Sequence, residues 1–516
     1  MWCYLNFGQC VFVCLSAMKS QKKKDGVKKK SLPFKNISDY TQFQLGCIAL
    51  FVLLAFNLTS VQNDSVLKWI DEFSIFLPTS LFFSDCFRFA GGLLIYLGTF
   101  FTQFLYYPWL GSVAFILLLL AIQYLSIKAF RIPRHYFPLS FIPGLMLLLS
   151  VSDLGYVWMS LKSPGYFFSN ALGTVSFLLL FIAYKRTLHL LLRLASLVFI
   201  VAIGYPLFGF YALFTGLIIV LYELFPFWRD KDAMRFVIVG VGLSAIVLIP
   251  QAYYYFAYSY MQQFYVYTAV LPRFFFNSAE FVLWIPFILL FLSFLLALLF
   301  LFRHSEVSPK PAKTAVVLSS IIYVCALIFT YVMSYQNENF MAEVKMAAAV
   351  DKGNWQKVTV IAGNMRGTPT RNVVLNNNLA IFKLGYNAGK GVMDINNVVP
   401  TPSVRPGMAL LLMSGRSLFY NYGKINESYR WSMEGTVEFG LRVTYLKYMV
   451  KCALLNQEYA LARKYNNVLS QTMFHRKWAE KYQRYIDDPR LVKEDKEMNA
   501  IRSLMQKGDS INIDFH

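Results

Sequence analysis

Charge is scarce in this chain. Only 15% of its 516 residues are charged, against 57% that are hydrophobic. An ordinary soluble domain carries roughly a quarter charged residues, so that class is excluded. Acid is scarcer than base, with 28 Asp+Glu against 49 Lys+Arg. Histidine occurs five times, at His135, His189, His304, His475 and His516. The seven cysteines show no metal spacing, and only Cys86 and Cys452 are expected to share a compartment, so no disulfide framework follows. No Gly-rich nucleotide loop, zinc motif or nucleophile elbow occurs.

Long apolar runs dominate instead, and the mean hydropathy is +0.46. The pattern reads as an all-α, polytopic membrane helix bundle followed by a soluble α-helical domain. Aromatics make up 17% of the chain, which suits interfacial belts. The excess of base is spread over a tail, short loops and the C-terminal region. Membrane topology and anionic lipid explain it, and nucleic acid is not an expected partner.

Ahead of the first apolar run lies a basic tail. Lysines 19, 22, 23, 24, 28, 29, 30 and 35 face one acid, Asp25. Such a segment stays cytoplasmic, so the first span runs from inside to outside. Residues 1–17 are apolar and precede Met18, which is read as the start of translation. About nine spans follow: 43–61, 109–127, 137–152, 166–184, 188–205, 207–224, 236–250, 281–302 and 315–333. Pro138 and Pro143 predict a broken or tilted third span. Residues 91–107 are expected along the interface or re-entering. The inner loops carry two to four basic residues each and the outer turns between spans one or none, apart from the first long outer segment with Lys68 and Arg88, which is the positive-inside pattern. Nine spans put the C-terminus outside, at a bacterial plasma membrane with a periplasmic C-terminal region.

Three regions are therefore expected: a cytoplasmic tail 1–42, a transmembrane domain 43–335 and a periplasmic helical domain 336–516. Helix–turn–helix punctuation recurs in the last, at Lys352-Gly353-Asn354-Trp355, Ala388-Gly389-Lys390, Tyr422-Gly423-Lys424 and Leu455–Tyr459. The steps of 36, 34 and 33 residues are close to the ~34-residue tetratricopeptide period. Stacked helical repeats present a concave surface for peptides or partner proteins. The alternative is a helical lid over the outer face of the membrane domain.

Ionisable groups beside the membrane are the first candidates for function. On the outer side these are Asp71, Glu72, Asp85, Arg88, Asp153, Arg273 and Glu280. His135, His189 and His304 fall inside, and His475 and His516 fall in the soluble domain. No histidine is expected at the outer membrane face.

Two separated carboxylate positions in successive outer loops resemble the polytopic GT-C type glycosyltransferases. That resemblance implies a lipid-linked (polyprenyl) sugar donor and an acid acting as general base or metal ligand. Asp71 and Glu72 come first as catalytic candidates, then Asp153 and Asp85. Arg88 and Arg273 are candidates for holding the donor phosphate. A divalent metal stays open as a cofactor. Gly91–Tyr96 and Phe104–Gly111 look like a segment of several uncharacterised Bacteroidetes multipass families. Glu458–Tyr465 with Met473–Ala479 resembles one of them, a family of unknown function with a tetratricopeptide-like tail, over most of residues 40–505. Residues 379–385 match that family only loosely. Asp64-Ser65-Val66 and Asp509-Ser510-Ile511 resemble periplasmic O-glycosylation acceptors. The rival class is a non-enzymatic scaffold whose repeats recruit envelope proteins. A transporter is less favoured, because few charges fall in mid-span.

Overall fold

The computed structural model describes residues 37–230, 232–258, 263–272, 281–303, 313–385, 391–402 and 410–505. The basic tail, Arg273, Glu280, His304, the turn at 388–390 and residues 509–511 lie outside the described residues. Within them the chain is helical, with a single isolated bridge between Thr370 and Val399.

Seven helical stretches are long and apolar enough to cross a membrane. The helices that build them are α1 (Ile37–Phe56), α4 (Pro108–Phe130), α5 (Ile142–Ser152), α6 (Tyr166–Arg186), α9 (Ala233–Phe256), α10 (Ile285–Arg303) and α11 (Lys313–Met333). Between α1 and α4 lie α2 (Asp64–Glu72) and α3 (Gly92–Thr102). Seven of the nine expected spans are thus present as helical stretches long and apolar enough to cross. The other two differ. Residues 188–205 contain α7 (Leu190–Ala202), whose 13 residues are short for a bilayer that needs about 20. A one-turn helix, Gly204–Phe208, then leads into α8 (Phe210–Asp230), in which Pro226 interrupts the ladder. This pair packs as a hairpin, closed where Tyr205 donates its hydroxyl proton to Val266 O at 2.7 Å.

Proline sets two boundaries. Pro108 opens α4, where a missing N–H leaves nothing unpaired. The third span changes from a 3₁₀ segment (Arg134–Phe141, containing Pro138) to α-helix at Ile142. The stretch Gly92–Tyr106 lies against α6, and a Cβ at Gly98 would stand 2.7 Å from Gly165 O. Glycine is what lets these backbones touch.

One buried charge ties four of the helices at the end of the bundle that holds Lys185 and Arg186. Glu223 on α8 is fully buried. It takes Nη1 of Arg193 (α7) at 2.8 Å and Nη1 of Arg235 (α9) at 2.9 Å. The Tyr184 hydroxyl on α6 donates to it at 3.0 Å. A carboxylate at this depth is tolerated because both oxygens have donors and two of the three are guanidinium groups.

After α11 the chain forms α12 (Glu338–Val350), α13 (Trp355–Gly363), α14 (Arg371–Lys383), α15 (Arg416–Asn421), α16 (Ile425–Phe439), α17 (Val443–Leu455), α18 (Tyr459–Ser470), α19 (Arg476–Asp487) and α20 (Lys496–Leu504). Consecutive helices pack on one another in pairs. Two small cores result, one around Met346, Val358 and Val373, the other around Leu446, Met449 and Ala453. Neither core is separate from the bundle. Phe340, Val344 and Met413 belong to the membrane helices' core, while Ile75 and Leu77, from the first long loop, belong to the C-terminal one.

Three of the helix–turn–helix punctuation sites share one geometry. Gly353, Gly423 and Gln457 all have left-handed backbones, at φ +64°, +78° and +64°. Each donates its N–H three residues back (to Val350, Tyr420 and Leu454), and each following residue donates five back (to Ala349, Phe419 and Ala453). That pair of bonds is the Schellman C-cap. It requires φ > 0 at its central residue, which is why glycine marks two of the sites.

Gln457 holds that conformation with a side chain, at a cost of about 1 kcal/mol. Gln457→Gly is therefore expected to raise stability by about 1 kcal/mol. Gly423→Ala is expected to lower it by more, because the new Cβ would meet Leu504 backbone at 2.6 Å. Denaturant unfolding of the purified protein reads both. Shifts of the same sign would contradict the capping geometry.

Candidate functional site

Helix α2 follows the first span and is strongly amphipathic. Val66, Leu67, Trp69 and Ile70 face the core, so the next residue on that side, Asp71, is buried with them. A lone carboxylate there would be costly. Its partner comes from the far end of the chain: His475 Nε2 stands 3.1 Å from Asp71 Oδ2, with both side chains buried. Burial pushes the Asp71 carboxyl up to about 6, despite the favourable bond to His475.

His475 is held by aromatics. Phe474 stacks on Tyr106 at 5.3 Å and meets Phe104 and Tyr107 edge-on. Tyr106 also meets the His475 ring edge-on at 5.3 Å. The two segments singled out in the sequence, Phe104–Gly111 and Met473–Ala479, are therefore packed against each other. Between them and α2 lies a cleft of about 10 Å³, lined by Asp71, Ser74, Gln103, Thr472 and His475 among others. That is room for one water. Gln103 is buried there with its Nε2 unpaired among the described residues.

The other expected site residues do not join this cleft. Glu72, next in sequence, turns to Lys447 Nζ at 2.6 Å. Burial works against its charge, but Lys447 and His475 outweigh that and hold the carboxyl below its ordinary value. Asp85 and Arg88 pair with each other at 3.1 Å on the exposed surface, an arrangement worth about 0–1 kcal/mol. Asp153 ends the third span. Its Oδ1 is buried and unpaired among the described residues, and burial raises its carboxyl well above the usual range. No hydrogen bond or ion pair among the described residues links Asp153 to Asp71 or Glu72. Arg273 lies outside the described residues. Among the described residues, no group of three His, Cys, Asp or Glu side chains is arranged to hold a metal ion.

The sequence put His475 in the C-terminal helical region, apart from Asp71; the structure brings the two into contact. Position along the chain placed it in the C-terminal region, while 404 residues of separation hid its contact with Asp71. Its neighbourhood was visible as a motif; its partner was not. Glu343 is a second residue without a sequence signal. Buried on α12, it accepts from the Tyr156 hydroxyl at 2.8 Å, Asn372 Nδ2 at 2.9 Å and the Thr370 hydroxyl. Burial raises its carboxyl too. Tyr156 belongs to the segment between the third and fourth spans, so this bond also joins the bundle to the C-terminal helices.

A family of unknown function, DUF6057, matches residues 40–515. The chain belongs to this family. No curated protein and no solved structure matches it significantly. This DUF6057 protein is thus a helical protein of membrane type whose first long loop and last helices meet at Asp71 and His475.

That pair gives the DUF6057 protein a pH signature. The folded Asp71 titrates near 6, and the ordinary value is 3.8. The penalty for burying its charge is absent below pH 4 and grows as pH rises through 6. Its full size is on the order of 3 kcal/mol. Stability of the wild type relative to Asp71→Asn is expected to fall across that window, measured by thermal unfolding of the detergent-solubilised proteins. Parallel profiles from pH 4 to 7 would show that Asp71 is not titrating there.

Proposed function

We propose that this protein is a membrane enzyme of glycosyltransferase type. It would transfer a sugar from a lipid-linked donor at the membrane face covered by the C-terminal helices. The observation that carries this reading is the buried Asp71–His475 pair, set where the first loop leaves the bundle. A carboxyl near 6 bonded to an imidazole can take up and release a proton close to neutral pH. The acceptor hydroxyl would give its proton to the pair as its oxygen bonds the anomeric carbon. The bond to the donor phosphate breaks in the same step, and the leaving phosphate keeps the electron pair. The cleft beside Asp71 holds only about 10 Å³, so the side chains that line it must move for a donor to enter.

Topology supports an outer, periplasmic location. The lysine tail favours an inside N-terminus. The short hairpin α7–α8 adds either no crossing or two, so the number of crossings stays odd either way. The C-terminal helices then lie opposite the tail.

A second reading is favoured by the repeated Schellman turns, which suit a tetratricopeptide-like scaffold that binds envelope proteins. In it, Asp71–His475, Glu72–Lys447 and Tyr156–Glu343 act as fasteners. Transfer assays on the full chain in nanodiscs, supplied with polyprenyl-linked sugars, separate the two. For the enzyme, Asp71→Asn and His475→Gln are expected to lose roughly 100-fold or more in turnover while their unfolding temperatures stay near wild type. Full turnover in the double variant would remove the catalytic assignment. A stoichiometric protein partner, with envelope glycans unchanged in Asp71→Asn cells, would establish the scaffold.

A further inference from the structure

Two arginines are buried in the C-terminal helices without a carboxylate in ion-pair contact, although the charge of Arg416 reaches Glu72. Arg416 on α15 is 4% exposed and Arg442, just ahead of α17, is 5% exposed. No Asp or Glu among the described residues lies within ion-pair distance of either. Their guanidinium groups flank the Phe73 ring at 4.8 and 5.3 Å, and both lie 5.7 Å from the Tyr445 ring. Cation–π contact offsets part of the desolvation, at about 1–2 kcal/mol each. It does not relieve the repulsion between two like charges over one ring.

Their hydrogen bonding is also incomplete. Arg416 spends Nε on the Thr444 hydroxyl at 3.0 Å and Nη1 on Leu412 O at 2.7 Å. Arg442 Nη1 is buried with no partner among the described residues, and so is Nε1 of Trp431 on α16. Arg416, Trp431 and Tyr445 line a pocket of about 370 Å³ between α16, α17 and residues 411–412. Arg442 stands behind its wall, over the rings of Phe439 and Tyr445. Two carboxylates line the same pocket, and both are engaged at its edge: Glu434 with Arg430 and Glu438 with Lys162. Arg416 is therefore the cation that lines the pocket without an ion pair, with Arg442 behind it.

We propose that this pocket binds a phosphate-type anion, with Arg416 and Arg442 supplying the charge and Trp431 an N–H donor. Charge-assisted N–H···O bonds to phosphate are stronger than neutral ones, and Arg442 acts here through its charge from behind the lining. The remaining lining is apolar, including Leu411, Leu412, Met433 and Val437. Leu412 also packs on the core of the membrane helices, and Lys162 comes from the loop between the third and fourth spans. The anion could therefore be the head of an amphiphile reaching up from the bilayer, or a free phosphate from solution. The site holds whether or not Asp71 and His475 handle a proton.

Titration of the full-length protein in phosphate-free detergent, with farnesyl phosphate, farnesol and inorganic phosphate, tests this by calorimetry. Farnesyl phosphate is expected to bind at least about tenfold more tightly than farnesol. Arg442→Gln is expected to weaken it about tenfold or more, and Trp431→Phe several-fold. Tighter binding of farnesyl phosphate than of inorganic phosphate assigns a membrane-borne anion; equal binding assigns a free one. No binding of either phosphate, equal binding of farnesol, or wild-type affinity in both variants overturns the proposal. Should Arg442→Gln fail to fold, Trp431→Phe, which removes the indole N–H and leaves a smaller aromatic ring, decides the matter.

Discussion

The structure turns on a buried carboxylate that only the far end of the chain can satisfy. Asp71 enters the core because it follows Trp69 and Ile70 on an apolar helix face. A buried carboxyl left without a hydrogen-bond partner costs about 1–3 kcal/mol. Helix α2 therefore depends on the turn that carries His475 for the partner of its one buried acid. Glu72–Lys447 and Tyr156–Glu343 repeat the arrangement at other points of the same junction. Apolar contact reinforces it, since each side donates residues to the other's core. Bundle and C-terminal helices thus share both apolar packing and polar bonds at this junction.

Much of the architecture was legible in the sequence because it is local. A run of about 20 apolar residues has to cross or be buried, and seven such runs became long apolar helices. Glycine at a helix end needs only its own φ angle, so Gly353 and Gly423 marked true turns. The hairpin of α7 and α8 was less legible. Its apolar residues fill two spans' worth of sequence, but Gly204–Phe208 and Gly209 break the helix early, and Tyr205 anchors the break to Val266. Hydropathy reports the length of an apolar run and is blind to where a tertiary bond interrupts it.

The candidate site was legible only in part. Asp71 and Glu72 were recognisable as acids beside a span, but not that they face different partners. Asp85 and Arg88 looked equally promising and proved to satisfy each other at the surface. His475, Glu343, Arg416 and Arg442 carried no signal, because an ionisable residue in a polar helical region reads as solvated. Their burial depends on helices that come together from distant parts of the chain. Sequence periodicity gives each helix its face, and the pairing of faces is information it does not contain.

The distance along the chain between Asp71 and His475 also bears on how the protein is made. Their contact spans 404 residues. At a synthesis rate of about 5–20 residues per second, α2 emerges tens of seconds before its histidine exists. Through that interval the first loop carries an unmatched carboxyl and an open apolar face beside the insertion machinery. The bundle can acquire its spans one at a time and the Tyr156–Glu343 bond can follow α12, but Asp71 waits for His475. A chain that loses its final hundred residues would insert and still leave its first loop unfinished.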